Sequence, residues 1–141
     1  MKTYVDKFFD INQMSTEDII RLTQVHKVDI AIDLAGYTYA NRYQVFNQRC
    51  APIQVSYLGF AGSTGLNNMD YLIADKTVIP NDCRKFYSEK IIYMPKTFMP
   101  GDDTQKISNK NLKRKDFGIP NNAVVYCCFN KSYKITPDVF N

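Results

Sequence analysis

The stretch PIQVSYLGFAGSTG, Pro52 to Gly65, runs a strand-like segment straight into three glycines spaced at threes, Gly59, Gly62 and Gly65. Half of the chain's six glycines fall within these fourteen residues. Two physical readings fit that spacing. Glycine accepts backbone angles closed to other residues, which makes a turn. It also lets backbone N–H groups approach a sugar or phosphate, which makes a ligand surface.

The flanking segments set this stretch in a repeating order. STEDIIRLTQVHKVD offers Ser15 or Thr16 as a helix N-cap and Glu17 and Asp18 in the first turn. Ile19, Ile20, Leu22 and Val25 follow at helical spacing, which predicts a helix over about 16–26. VDIAIDLAGYT then alternates Val28, Ile30, Ile32 and Leu34 with smaller or polar residues up to Gly36, as a strand does. ANRYQVFNQRCAP returns to helical spacing until Pro52 forbids continuation. PIQVSYL, DYLIADKTVIP and KIIYMP supply three more strands. Helix, strand, helix, strand and strand in series predict an α/β layer with a mainly parallel sheet. Ligands collect beyond the carboxyl ends of such strands, where LAGYT and LGFAGSTG both begin.

Beyond Pro95 the composition turns polar and charged, as in a connector with a short helix near Leu112. AVVYCCFN, from Ala123 to Asn130, reads as a further strand. Thr136 followed by Pro137 has the form of an N-cap with proline at the first helical position. A strand, a loop and one helical turn cannot bury an apolar face alone, so this end reads as the start of a truncated second unit. The expectation is therefore a piece of a larger protein.

The hydrophobic fraction of 45% and charged fraction of 23% are those of an ordinary globular protein. No apolar run reaches the roughly 18–20 residues of a membrane span, and MKTYVDKFFDIN lacks a signal-peptide core. A cytosolic or nuclear setting without a membrane partner is expected. Four cysteines, Cys50, Cys83, Cys127 and Cys128, show no C-x-x-C spacing and lie far in sequence from the single histidine, His26. They read as reduced thiols, with no metal site. The net charge is +4, and the densest basic run, KNLKRKD, is short and without interleaved aromatics; it reads as a solvated helix start or connector, with a nucleic-acid patch the weaker rival and no nucleic-acid partner expected.

Two clusters could carry chemistry. Tyr37, Thr38, Tyr39, Asn41 and Arg42 follow the first strand, either as polar ligand contacts or as a capped helix start. Lys131 and Lys134 lie in a loop before a helix, either as phosphate contacts or as solvated lysines.

Taken together, DIAIDLAGYT, RCAPIQVSYLGFAGSTG, MDYLIAD, YSEKIIYMPKTF and VVYCCFNKSYKITP resemble, in order and spacing, successive blocks of the O-linked N-acetylglucosamine transferase catalytic region, SPINDLY-type proteins included. The resemblance implies part of a GT-B glycosyltransferase with two Rossmann-like lobes, commonly preceded by tetratricopeptide repeats. Residues 1–100 would be the latter part of the N-terminal catalytic lobe, 101–121 the inter-lobe connector, and 122–141 the start of the C-terminal lobe. The implied activity is transfer of N-acetylglucosamine from UDP-GlcNAc to protein serine or threonine hydroxyls, with UDP-GlcNAc as donor substrate and no further cofactor.

Carried over by position, Tyr37, Thr38, Leu58, Gly59, Gly62, Lys131 and Lys134 are the implied donor contacts. Lys134 would stabilise charge on the leaving diphosphate. Three positions depart from the family pattern: Lys131 replaces glutamine or asparagine, Ala61 replaces proline, and Lys96 replaces the histidine of MPHTF. His26 does not match the family's catalytic-lobe histidine, and the catalytic base is unassigned. The rival expectation is a non-catalytic α/β module of the same fold that binds nucleotide-sugar or protein.

Overall fold

A computed structural model describes residues 4–129 and 131–140. The chain forms two compact units, Met1–Gly101 and Asp102–Asn141.

In the first unit, α1 (Thr16–Val25) is capped by Ser15, whose hydroxyl oxygen accepts the Asp18 N–H at 3.1 Å. It ends where Lys27 takes φ +50° and the Val28 N–H reaches back to the Thr23 carbonyl at 3.0 Å. That closure is the Schellman type, built here on lysine where glycine is the usual signal. β1 (Ile30–Asp33), α2 (Tyr43–Asn47), β2 (Ile53–Ser56), β3 (Tyr71–Ala74) and β4 (Lys90–Tyr93) follow, with a 3-10 turn at Asn81–Phe86 between β3 and β4. α2 is shorter than its helical spacing predicts. Ala40 at φ +58° and Arg49 at φ +55° bracket it, and such left-handed residues break a right-handed helix.

The four strands are all parallel in the order β1-β2-β3-β4, as the alternating pattern predicts. Paired residues share a face. One face carries Asp33, Gln54, Ser56, Leu72 and Ala74, all buried. α1 and α2 cover one end of it through Ile19, Val45 and Cys50, which pack with Ala31. The segment after β3 covers the other through Ile79, Cys83 and Tyr87. The opposite face carries Ile30, Ile32, Ile53 and Ile92, which are 54%, 49%, 39% and 42% exposed. The alternation in β1 thus sends its small and polar residues inward. Parallel sheets are ordinarily covered on both faces, and within the first unit the described residues cover chiefly one.

Buried polar groups on the covered face are satisfied. The Gln54 side-chain amide donates to the Phe46 and Asn68 carbonyls at 2.7 and 2.5 Å, and its oxygen accepts the Cys50 N–H at 2.8 Å. This ties α2, β2 and the approach to β3 together. Asp70 takes a bidentate pair from Arg49 at 2.9 Å and the Gln54 N–H at 2.8 Å. The Arg49 guanidinium, followed by the backbone amide, holds the Asp70 carboxyl below its ordinary value despite partial burial.

The second unit departs from expectation in one respect. Ala123–Phe129 forms no strand, and Val124, Tyr126 and Phe129 are 76%, 93% and 98% exposed; Asn130 lies outside the described residues. β-branched and aromatic residues favour a pleated ladder only where a neighbour pairs with their N–H and C=O groups, and among the described residues no strand pairs with this segment. Near Leu112, the predicted short helix is a 3-10 turn, Arg114–Phe117, closed by Gly118 at φ +66°. α3 (Pro137–Phe140) begins with proline as predicted, and the Thr136 carbonyl accepts the Val139 and Phe140 N–H groups at 3.0 Å.

Candidate functional site

The loops leaving β1 and β2 meet at the carboxyl edge of the sheet. β1 ends on buried Asp33, whose Oδ1 accepts the N–H groups of Ala35 and Gly36 at 2.9 and 3.1 Å. The carboxylate turns the chain, and Gly36 at φ +55° completes the turn. Tyr37 then leans across to the second loop. Its hydroxyl donates to the Thr64 carbonyl, and its ring lies edge-on to Phe60 at 5.6 Å and tilted against Tyr43 at 5.7 Å. Even so, Tyr37 remains 46% exposed.

After β2, the Gly59 N–H bonds to the Tyr57 carbonyl at 2.9 Å while Leu58 takes φ +71°. An i to i+2 bond around a positive-φ residue is the rare form of γ-turn, and a leucine there is strained. Such strain persists where the surroundings over-determine it, commonly at ligand sites. The surroundings are visible here. A Cβ on Gly59 would run into the Leu34 backbone carbonyl, and one on Gly62 would meet the Phe60 ring at 2.7 Å. Gly36 is pressed by Phe60 in the same way, at 2.5 Å. Two of the three glycines that raised the ligand question, Gly59 and Gly62, thus have a packing reason, as does Gly36: they let the two loops interlock, whereas Gly65 has open space around it.

The site is fastened from below by residues outside every candidate cluster of the sequence. Glu89, 5% exposed and immediately before β4, accepts the Thr64 N–H at 2.6 Å, the Thr64 hydroxyl, and the Ser63 hydroxyl at 2.8 Å. Tyr87 donates to the Ala61 carbonyl at 3.2 Å. Burial alone would push the Glu89 carboxyl up, but the hydrogen bonds from Thr64 and Ser63 outweigh it and leave it below its ordinary value. In sequence, the only trace was three polar residues, Tyr87, Ser88 and Glu89, set directly before a strand.

The remaining candidates divide. The Thr38 hydroxyl donates to the Ala35 carbonyl at 2.8 Å, and the Asn41 amide donates to the Thr38 carbonyl at 2.8 Å, so both hold the turn. Arg42 donates to the Ile11 and Asn12 carbonyls at 3.2 and 2.8 Å and staples the N-terminal segment. Lys131 and Lys134 belong to the second unit, at either side of a 3-10 turn in which the Lys134 N–H bonds the Lys131 carbonyl at 3.1 Å. Both are exposed, and the Lys131 ammonium lies 6.0 Å from the Tyr133 ring centre.

The chain matches known proteins. The sequence profile of glycosyl transferase family 41 covers residues 1–115. The chain belongs to glycosyl transferase family 41. A probable UDP-N-acetylglucosamine–peptide N-acetylglucosaminyltransferase of Arabidopsis thaliana, SEC, is 36% identical over 146 residues, covering all of this chain and 15% of that protein. A probable UDP-N-acetylglucosamine–peptide N-acetylglucosaminyltransferase of Eustoma exaltatum subsp. russellianum, SPINDLY, is 31% identical over 133 residues, covering 92% of this chain and 14% of that protein. Among solved structures, a lysine-to-methionine mutant of the Thermobaculum terrenum O-GlcNAc transferase superposes with a TM-score of 0.67 at 26% identity, over 72% of this chain and 20% of that one. The chain thus spans about a seventh of the length of these curated relatives. With its parallel sheet, this family 41 chain is part of a GT-B glycosyltransferase fold. No helix among the described residues is long and apolar enough to cross a membrane.

Proposed function

We propose that this family 41 chain supplies one wall of the nucleotide-sugar site in a protein O-GlcNAc transferase, which moves N-acetylglucosamine from UDP-GlcNAc to serine or threonine hydroxyls of proteins. The observation that carries the proposal is the strained γ-turn at Leu58, interlocked with the Tyr37 loop at the carboxyl edge of a parallel sheet. Residues 1–100 would form the later part of the first lobe, 101–121 the connector, and 122–141 the start of the second.

In this reading, Tyr37 and Leu58 with Gly59 present a rigid surface to the donor sugar, while Thr38 and Gly62 keep the two loops in shape. Lys131 and Lys134 answer the diphosphate. The acceptor hydroxyl attacks the anomeric carbon, the bond from that carbon to the diphosphate oxygen breaks, and UDP departs with the electron pair. The Lys134 ammonium lowers the barrier by opposing the charge that grows on the leaving oxygen. The proton of the acceptor goes to a base outside the residues assigned here. Holding donor and hydroxyl together supplies the rest of the acceleration.

The test is transfer of labelled N-acetylglucosamine to protein acceptors by the protein expressed from the longest reading frame containing these residues. Transfer that falls by about a hundredfold or more in Lys134→Ala supports the proposal. UDP-GlcNAc binding without transfer would leave a non-catalytic binding module, and an unchanged rate in Lys134→Ala would remove the role given to that lysine. The isolated 141-residue chain is expected to be inactive.

A further inference from the structure

Resting on the proposed donor site, we infer that Glu89 is a positioning residue that sets the Tyr37 hydroxyl and ring through Thr64. The link is continuous. Glu89 Oε1 accepts both the N–H and the hydroxyl of Thr64, and Oε2 accepts the Ser63 hydroxyl and, at 3.3 Å, the Ser88 hydroxyl. The Thr64 carbonyl, which accepts the Tyr37 hydroxyl, belongs to the next peptide plane, and that plane is anchored in turn by the Gly65 N–H, which donates to the Glu89-bound Ser63 hydroxyl oxygen at 3.2 Å.

Three features distinguish this from ordinary loop packing. Glu89 is nearly fully buried, and among the described residues it makes no ion pair, so its charge is met by loop hydroxyls and a backbone amide. A buried carboxylate is costly unless hydrogen-bonded, so Ser63 and Thr64 are held in the one arrangement that satisfies it. The residue it ultimately orients, Tyr37, is half-exposed and borders the strained Leu58 turn through Phe60. The buried charge thus removes freedom from a loop that its glycines would otherwise leave loose, and preorganises the surface the donor meets.

The experiment is a double-mutant cycle on the full-reading-frame protein, with Glu89→Gln and Tyr37→Phe singly and together. Glutamine turns one acceptor into a donor facing the Ser63 and Thr64 donors. Glu89→Gln is expected to raise KM for UDP-GlcNAc about tenfold with a smaller change in kcat, and by less than about twofold when Tyr37 is already phenylalanine. Equal effects in both backgrounds would reduce Glu89 to a structural residue and overturn the inference. If Glu89→Gln folds poorly, Ser63→Ala and Tyr87→Phe each remove one tie to the same loop and enter the same cycle.

A second readout does not depend on turnover: the ring resonance of Tyr37 in tyrosine-labelled protein, assigned by its loss in Tyr37→Phe. It is expected to shift in Glu89→Gln, and an unmoved resonance contradicts the inference. If the wild-type protein transfers no sugar yet this resonance shifts, the donor-site proposal fails and the positioning link stands. If the protein transfers sugar and the effects are additive, the reverse holds.

Discussion

PIQVSYL and AVVYCCF carry the same kind of strand signal, and only the first becomes a strand. β2 lies between β1 and β3, which take its backbone groups, and Gln54 and Ser56 on it are almost wholly buried. Residues 123–129 have equal or better intrinsic propensity, but among the described residues no strand pairs with them, and their large side chains are exposed. The difference teaches that propensity nominates a strand while a partner makes one. It also places the unit able to hold a strained turn such as that at Leu58. Strain can be stored only where packing opposes its release.

That contrast can be broken most directly in the sheet. Leu72, 1% exposed, has no room to relax, and Leu72→Ala is expected to cost about 2–5 kcal/mol in denaturant unfolding. Val124→Ser in the second unit is expected to change stability by less than about 0.5 kcal/mol. A comparable loss at both sites would mean that residues 123–129 are packed after all. Gly59→Ala comes next, at more than about 1 kcal/mol, because its Cβ meets the Leu34 carbonyl and backbone cannot yield as a side-chain tip can. Leu58→Gly sharpens the same point with opposite signs. Releasing the left-handed strain offsets the lost apolar contact, so stability holds within about 1 kcal/mol while transfer activity falls.

The smallest separation is in acid. Asp75 accepts the N–H groups of Phe98, Val78 and Thr77, and with Asp70 and Glu89 its carboxyl lies below the ordinary value. A group depressed in the folded state binds more protons when unfolded, so its stabilisation is complete above the unfolded value of about 4 and is lost as pH falls toward the folded value. The first unit is therefore expected to lose stability below about pH 4, and Glu89→Gln is expected to flatten part of that slope. Asp102 in the second unit is also lowered, by the Thr104 hydroxyl, but it is exposed to solvent and contributes little. A melting temperature independent of pH from 3 to 6 would contradict this account of the carboxylates.

Much of the first unit was legible because its signals are local. The Ser15 cap, the strand runs and the order of elements point to a parallel sheet, and the sheet points to its carboxyl edge. What stayed hidden depends on distant partners. The alternation in β1 marked a strand without saying which face is covered, and its isoleucines lie on the outward one. The breaks at Ala40 and Arg49 were invisible because neither residue type advertises a positive φ. The spacing of Gly59 and Gly62 was visible, whereas its cause, Leu34 and Phe60, was not. Glu89 lies 25 residues from the Thr64 it holds, and a glutamate before a strand reads as surface.

The central proposal is that the interlocked β1 and β2 loops of the first unit form a nucleotide-sugar surface. Hydrogen–deuterium exchange of the full-reading-frame protein, with and without saturating UDP-GlcNAc, tests it most directly. Slowed exchange at 34–42 and 57–66, with little change along α1, is the expected result. Unchanged exchange in both segments, with the donor shown to be bound, would contradict the proposal.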